Sequence, residues 1–67
     1  MIVELTNHTV EMNAMYEVEK IEESRYGSKL YFRFYFGCGK WSKEYSEPTY
    51  TYRVISGSRE LIISKNY

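Results

Sequence analysis

The chain of 67 residues has no aspartate, one histidine, one cysteine, one proline and no long apolar run, and each shortage removes a class of function. Without a second cysteine, Cys38 can form no disulfide within the chain. Cys38 and the single histidine, His8, fall short of the four ligands of a structural zinc site, so neither metal nor cofactor is expected. A lone cysteine fits a reducing cytosol better than secretion. No stretch approaches the roughly 18 apolar residues of a membrane span. The opening "MIVELTNHTVEM" lacks the positive start and apolar run of a signal peptide. The expectation is a cytoplasmic protein with no membrane partner.

Catalytic signatures are missing too. No glycine-rich phosphate loop of Walker or Rossmann type is present, and every carboxylate is a glutamate. Glutamates alternating along a strand are by default its solvent side. A cysteine nucleophile needs a depressed pKa and usually a base, and His8 stands far from Cys38 in sequence. So short a chain also has little wall for a pocket of ordinary volume. The chain reads as a non-enzyme with no catalytic residues.

Charge is balanced overall and uneven along the chain. Nine basic and nine acidic residues cancel. Residues 1–24 hold six glutamates against Lys20, net −5, and residues 25–67 hold eight basic groups against three glutamates, net +5. Either the halves face each other as cross-strand ion pairs, or an acidic end and a basic end orient a partner.

What the sequence has in abundance is β-formers: eight tyrosines, three phenylalanines, and many Ile, Val and Thr residues in period-two alternation. Residues 1–67 are expected to form one all-β domain, a small antiparallel barrel or curled sheet of about six strands built from three hairpins. The first hairpin turns at Asn7-His8 and pairs Leu5 with Val10 and Val3 with Met12. The second joins "YEVEKIEE" to "KLYFRFYF" through the loop "SRYGS", with Glu23 opposite Lys29 and Ile21 opposite Tyr31. That register sets Lys20 opposite Phe32 on the apolar face, so a bulge at Glu19-Lys20 is expected to reset the alternation. The third turns at Gly57-Ser58 and pairs Val54 with Leu61 and Tyr52 with Ile63, leaving Ile62 outward. Between the second and third, "KWSKEY" reads as a short edge strand with Trp41 and Tyr45 on one side, ended by Pro48.

The stretch "YFRFYFGCGKW" carries most of the functional content. The alternation of strand 29–36 assigns Leu30, Phe32, Phe34 and Phe36 to the core and Tyr31, Arg33 and Tyr35 to the outside, with "GCG" as a bend. Tyr, Trp and Arg dominate interface energetics, and so many tyrosines exceed what a small core can bury. The candidate partner-binding residues are Tyr31, Arg33, Tyr35, Trp41, Tyr45 and Tyr26, with Tyr50 and Tyr67 near further strand ends. The expected function is stoichiometric association with a protein partner. In composition the chain is similar to many small phage or mobile-element proteins that block a bacterial host or defence protein, which would make it an inhibitor of anti-CRISPR or anti-defence type. The alternative is an OB-like or SH3-like single-stranded nucleic-acid binder, since interleaved basic and aromatic residues also stack bases and hold phosphates. The apolar run in "RELIISK" invites either a covering strand or a homodimer through edge strand 59–65.

Overall fold

A computed structural model describes residues 1–66, so Tyr67 lies outside the described residues. The chain is all-β, as its composition demands, but it forms two sheets packed face to face and no closed barrel. The described strands number eight: β1 (Ile2–Asn7), β2 (Met12–Glu17), β3 (Lys20–Tyr26), β4 (Lys29–Gly37), β5 (Lys40–Trp41), β6 (Tyr45–Ser46), β7 (Tyr50–Ser56) and β8 (Ile62–Asn66). One sheet has the order β2-β1-β7; the other has β5-β4-β3-β8, with β6 also paired to β4.

The first hairpin forms in a different register. Asn7 pairs with Met12 and Leu5 with Ala14, around a loop of residues 8–11. The Asn7 Oδ1 accepts hydrogen bonds from the amides of Thr9 (3.0 Å) and Val10 (3.4 Å), so the asparagine caps a longer loop and is no part of a tight turn. The shift is even, so Val3 and Leu5 stay on the core face, both buried. It also sets Glu4 opposite Met15 and away from Glu11, and on its other side Glu4 pairs with Arg53 of β7.

The second hairpin is corrected by three residues. Its turn is the two-residue Gly27-Ser28, with Gly27 at φ 65, and Tyr26 faces Lys29. Gly at a positive φ in the first central position suits a two-residue hairpin, and the shorter turn wins over the five-residue loop. An odd shift exchanges the faces of β3. Ile21 now meets Phe34 in the core, while Lys20 meets Tyr35 and Glu22 meets Arg33 outside. No bulge at Glu19-Lys20 is needed.

The third hairpin does not form. β7 pairs antiparallel with β1, and β8 runs parallel to β3 with Ile21 beside Ile62. The turn chemistry of Gly57-Ser58 serves a crossover. Gly57 has φ 113, and a Cβ there would collide with Met1, so the backbone passes too close to the N-terminus for any other residue. Ser58 then caps a 3-10 turn, Arg59–Leu61, its hydroxyl accepting from the Glu60 amide at 3.1 Å. Ile62 consequently packs inward against the core, whereas Leu61 and Ile63 are exposed, the reverse of the expected facing.

The chain changes sheets at two other places. Val18 continues the β1–β2 ladder, its N–H donating to Met1 O at 2.8 Å, and the next residue, Glu19, donates to Tyr35 O at 2.8 Å in the other sheet. At Glu47-Pro48, a cis bond, the Glu47 amide still donates to Leu30 O while Thr49 O accepts from His8 N–H. Between the sheets lie Val3, Leu5, Val18, Ile21, Phe32, Phe34 and Tyr45, with Tyr52 of β7 reaching across to Phe32 at 4.7 Å between ring centroids. Phe36, expected in this core, is 39% exposed and meets the facing sheet through the ring of Tyr16, 6.0 Å away between centroids.

Candidate partner-binding face

The outer face of the larger sheet follows from the β3–β4 register. Strand β4 presents Lys29, Tyr31, Arg33 and Tyr35, and β3 presents Lys20, Glu22, Ser24 and Tyr26. Across the parallel pairing, β8 adds Ile63 beside Glu22 and Lys65 beside Ser24. On the far side, β5 sets Trp41 opposite Tyr35. Five of the six candidate residues, Tyr26, Tyr31, Arg33, Tyr35 and Trp41, therefore share one face.

Tyr45 does not join them. Trp41 pairs with Tyr35 and Tyr45 with Phe32, so four steps along "WSKEY" match three along β4. The extra residue turns Tyr45 to the core side, where it is buried against Phe32 (5.6 Å) and Phe34 (5.7 Å). Ser42 stabilises the irregularity. Its Oγ accepts from the Phe34 amide and donates to Lys43 O, both at 2.8 Å. Burial pushes the Tyr45 phenol pKa up.

Side chains on the face are organised around Trp41 and Glu22. The Arg33 guanidinium lies 3.9 Å from the centre of the Trp41 ring, and the Lys20 ammonium stands 4.8 Å from the Tyr35 ring and 5.7 Å from Trp41. Tyr35 and Trp41 are themselves 4.8 Å apart, and the Tyr35 hydroxyl accepts from the Gly39 amide at 2.9 Å. At the other end Tyr26 meets Tyr31 edge-on at 5.2 Å, with Lys29 over the Tyr31 ring at 5.4 Å. Arg33 Nε donates to Glu22 Oε1 at 2.9 Å, and Lys65 approaches the other oxygen at 3.6 Å. Their hydrogen bond and charge hold the Glu22 carboxyl below its ordinary pKa, against the opposing effect of partial burial.

The face thus carries four cations, Lys20, Lys29, Arg33 and Lys65, against one carboxylate. Lys20, Glu22, Ile63 and Lys65 were not among the candidate residues. A two-residue turn at Gly27-Ser28 would have revealed the first two, because it alone opposes Glu22 to Arg33. The long-range charge asymmetry also resolves: Glu4–Arg53 (2.9 Å), Glu22–Arg33 and Glu22–Lys65 each join an acid of the first third to a base of the remainder.

The other reactive side chains lie elsewhere. Cys38 is exposed in the β4–β5 turn, and His8 Nε2 shares a hydrogen bond of 2.7 Å with Thr51 Oγ1. Among the described residues no group of three or more His, Cys, Asp or Glu side chains could hold a metal ion, and no helix is long and apolar enough to cross a membrane. Comparison with protein-family models, curated proteins and solved structures finds no match to this chain.

Proposed function

We propose that the protein acts without catalysis, by binding a protein partner through the outer face of the larger sheet. The observation that carries this reading is the grouping of half-buried Tyr31, Arg33, Tyr35 and Trp41 with exposed Tyr26 on one face, ordered by ring contacts and by Glu22. Side chains already held in one rotamer lose little entropy on association, and Tyr, Trp and Arg are the usual energetic anchors. An inhibitor of a bacterial host or defence protein is the form this binding would take on the compositional similarity alone.

Single-stranded nucleic acid is the second reading, favoured by the excess of cations on the face. Two features weigh against it. The Trp41 ring already holds Arg33 at 3.9 Å and Lys20 at 5.7 Å from its centre, leaving less aromatic surface for a base to stack on. Glu22 is held ionised in the middle of the cations, where a phosphate chain would have to pass.

The test is capture from a bacterial lysate with immobilised protein, repeated with Trp41→Ala and with Arg33→Ala joined to Tyr35→Ala. A partner retained by the parent chain and by Cys38→Ser, and lost by the face variants, is the expected result. An oligonucleotide bound with an affinity falling steeply with salt, and abolished by the double variant, would give the nucleic-acid reading the lead. Sedimentation at high concentration reports whether a second copy is itself the partner.

A further inference from the structure

We infer that the free edge of β2 accepts an extended, basic segment of a partner protein as an added strand. This surface belongs to the smaller sheet and is independent of the outer face described above. Among the described residues β2 is hydrogen-bonded on one side only, to β1, and its six residues run without proline, lysine or bulge. Such an edge offers unpaired backbone donors and acceptors in strand geometry, and native edges are usually blunted by those devices.

A second observation lies beside it. The core-side residues of β2, Met12, Ala14 and Tyr16, form one wall of an open groove of about 270 Å3, whose floor and far wall are Leu5, Tyr45 and Tyr50. The sandwich is unfilled here: Met12 is 65% exposed, and so is much of Val10 at the groove's mouth. A strand added to β2 would point every second side chain into this groove, which is how strand addition combines backbone affinity with side-chain specificity. Those side chains cannot be cationic. Lys43 lines the far wall, its ammonium held over Tyr45 and Tyr50 at 5.4 and 5.2 Å, and a second cation would be repelled.

Charge selects the occupant. With Glu4 and Glu22 engaged by arginines, the remaining acids of the first third include Glu11, Glu17 and Glu19, all exposed and none in an ion pair among the described residues. Glu11 and Glu17 flank the two ends of β2, while Glu19 lies against Gly37 of the other sheet. An antiparallel second copy would bring the Glu11 end of one strand against the Glu17 end of the other, opposing like charges. A segment with apolar residues inward and lysine or arginine outward satisfies both the groove and the rim.

The probe is a capped seven-residue peptide of alternating valine and lysine, read by amide hydrogen exchange of the full chain. Exchange across Met12–Glu17 is expected to slow, with the valine–glutamate peptide binding about tenfold more weakly. Methylating the peptide amides along one edge should abolish binding, as should Met12→Lys, a substitution that exposure lets the fold accept. Equal binding of the two peptides, or no change in β2 exchange at millimolar peptide, would overturn the inference. So would a dimer that protects β2 without peptide and is dissolved by Met12→Lys, since the occupant would then be a second copy.

Discussion

The two faces of strand β4 come from one alternating stretch and do different work. Inward, Phe32 and Phe34 are almost completely buried and pack against each other and the rings of Tyr45 and Tyr52. Outward, Tyr31, Arg33 and Tyr35 are half-buried and meet cations, a carboxylate and aromatic rings. The inner face contributes burial, which is large and non-directional. The outer face contributes geometry, with each contact worth about 1 kcal/mol or less near solvent. On the proposed function, stability should reside on one side of the strand and recognition on the other.

The sharpest way to break that division is to truncate one residue on each side. Phe34→Ala leaves a cavity between the sheets and should cost about 3–5 kcal/mol, much of what so small a domain possesses. Trp41→Ala removes a half-buried ring with its two cation contacts and should cost roughly 1–2 kcal/mol. Urea unfolding followed by tyrosine fluorescence and circular dichroism measures both. Equal costs would mean that the outer face is structural, and the proposed recognition role would lose its basis.

Titration separates the faces from opposite ends of the pH scale. On the inner side the Tyr52 hydroxyl donates to Glu23, and burial followed by that carboxylate raises its pKa well above the ordinary tyrosine value. A raised folded-state pKa gives stability that is complete below the unfolded value of about 10 and is lost as pH rises through the folded value. Tyr52→Phe should cost about 1–2 kcal/mol at pH 7 and flatten the alkaline loss, with Tyr45 supplying what remains. On the outer side the Glu22 pKa is lowered, chiefly by Arg33. Its contribution is complete above the unfolded value of about 4.3 and disappears as pH falls through the folded value. Glu22→Gln should cost about 0.5–1 kcal/mol at pH 7 and reduce the acid loss. Urea midpoints between pH 3 and pH 11 check both signs, and an unchanged alkaline limb in Tyr52→Phe would show that the phenol titrates as though exposed.

The division between faces was legible in "YFRFYF", because alternation is a local property that no partner strand can alter. Its partners were less legible, since register depends on turn length. A loop of five and a turn of two both accommodate "SRYGS", and only the second sends Lys20 outward; the misplaced lysine was itself the warning. Tyr45 was misassigned because one inserted residue inverts every later side chain, and nothing in "WSKEY" marks Ser42 as the site of insertion. Strand β8 was the hardest to place. Gly57-Ser58 has the composition of a hairpin turn, and what overrides it is the approach of Met1, a contact 56 residues distant in sequence.

The smallest expected effect tests whether the thiol beside the outer face matters. Cys38 and Gly39 form the β4–β5 turn with φ 56 and 78, so both central residues occupy the left-handed region. Asn-Gly is the preferred pair for such a turn, and cysteine has no local hydrogen bond to offset its Cβ strain. Cys38→Asn should stabilise by about 0.5 kcal/mol, while β-branched Cys38→Val should destabilise by about 1–2 kcal/mol. The same turn carries the Gly39 amide that fixes the Tyr35 hydroxyl, so the asparagine variant should leave Tyr35 and Trp41 in place and partner capture unchanged. Capture lost in Cys38→Asn, with stability gained as expected, would separate fold from function at a single atom. The sulfur would then belong to the activity, and binding through the aromatic face alone would no longer account for it.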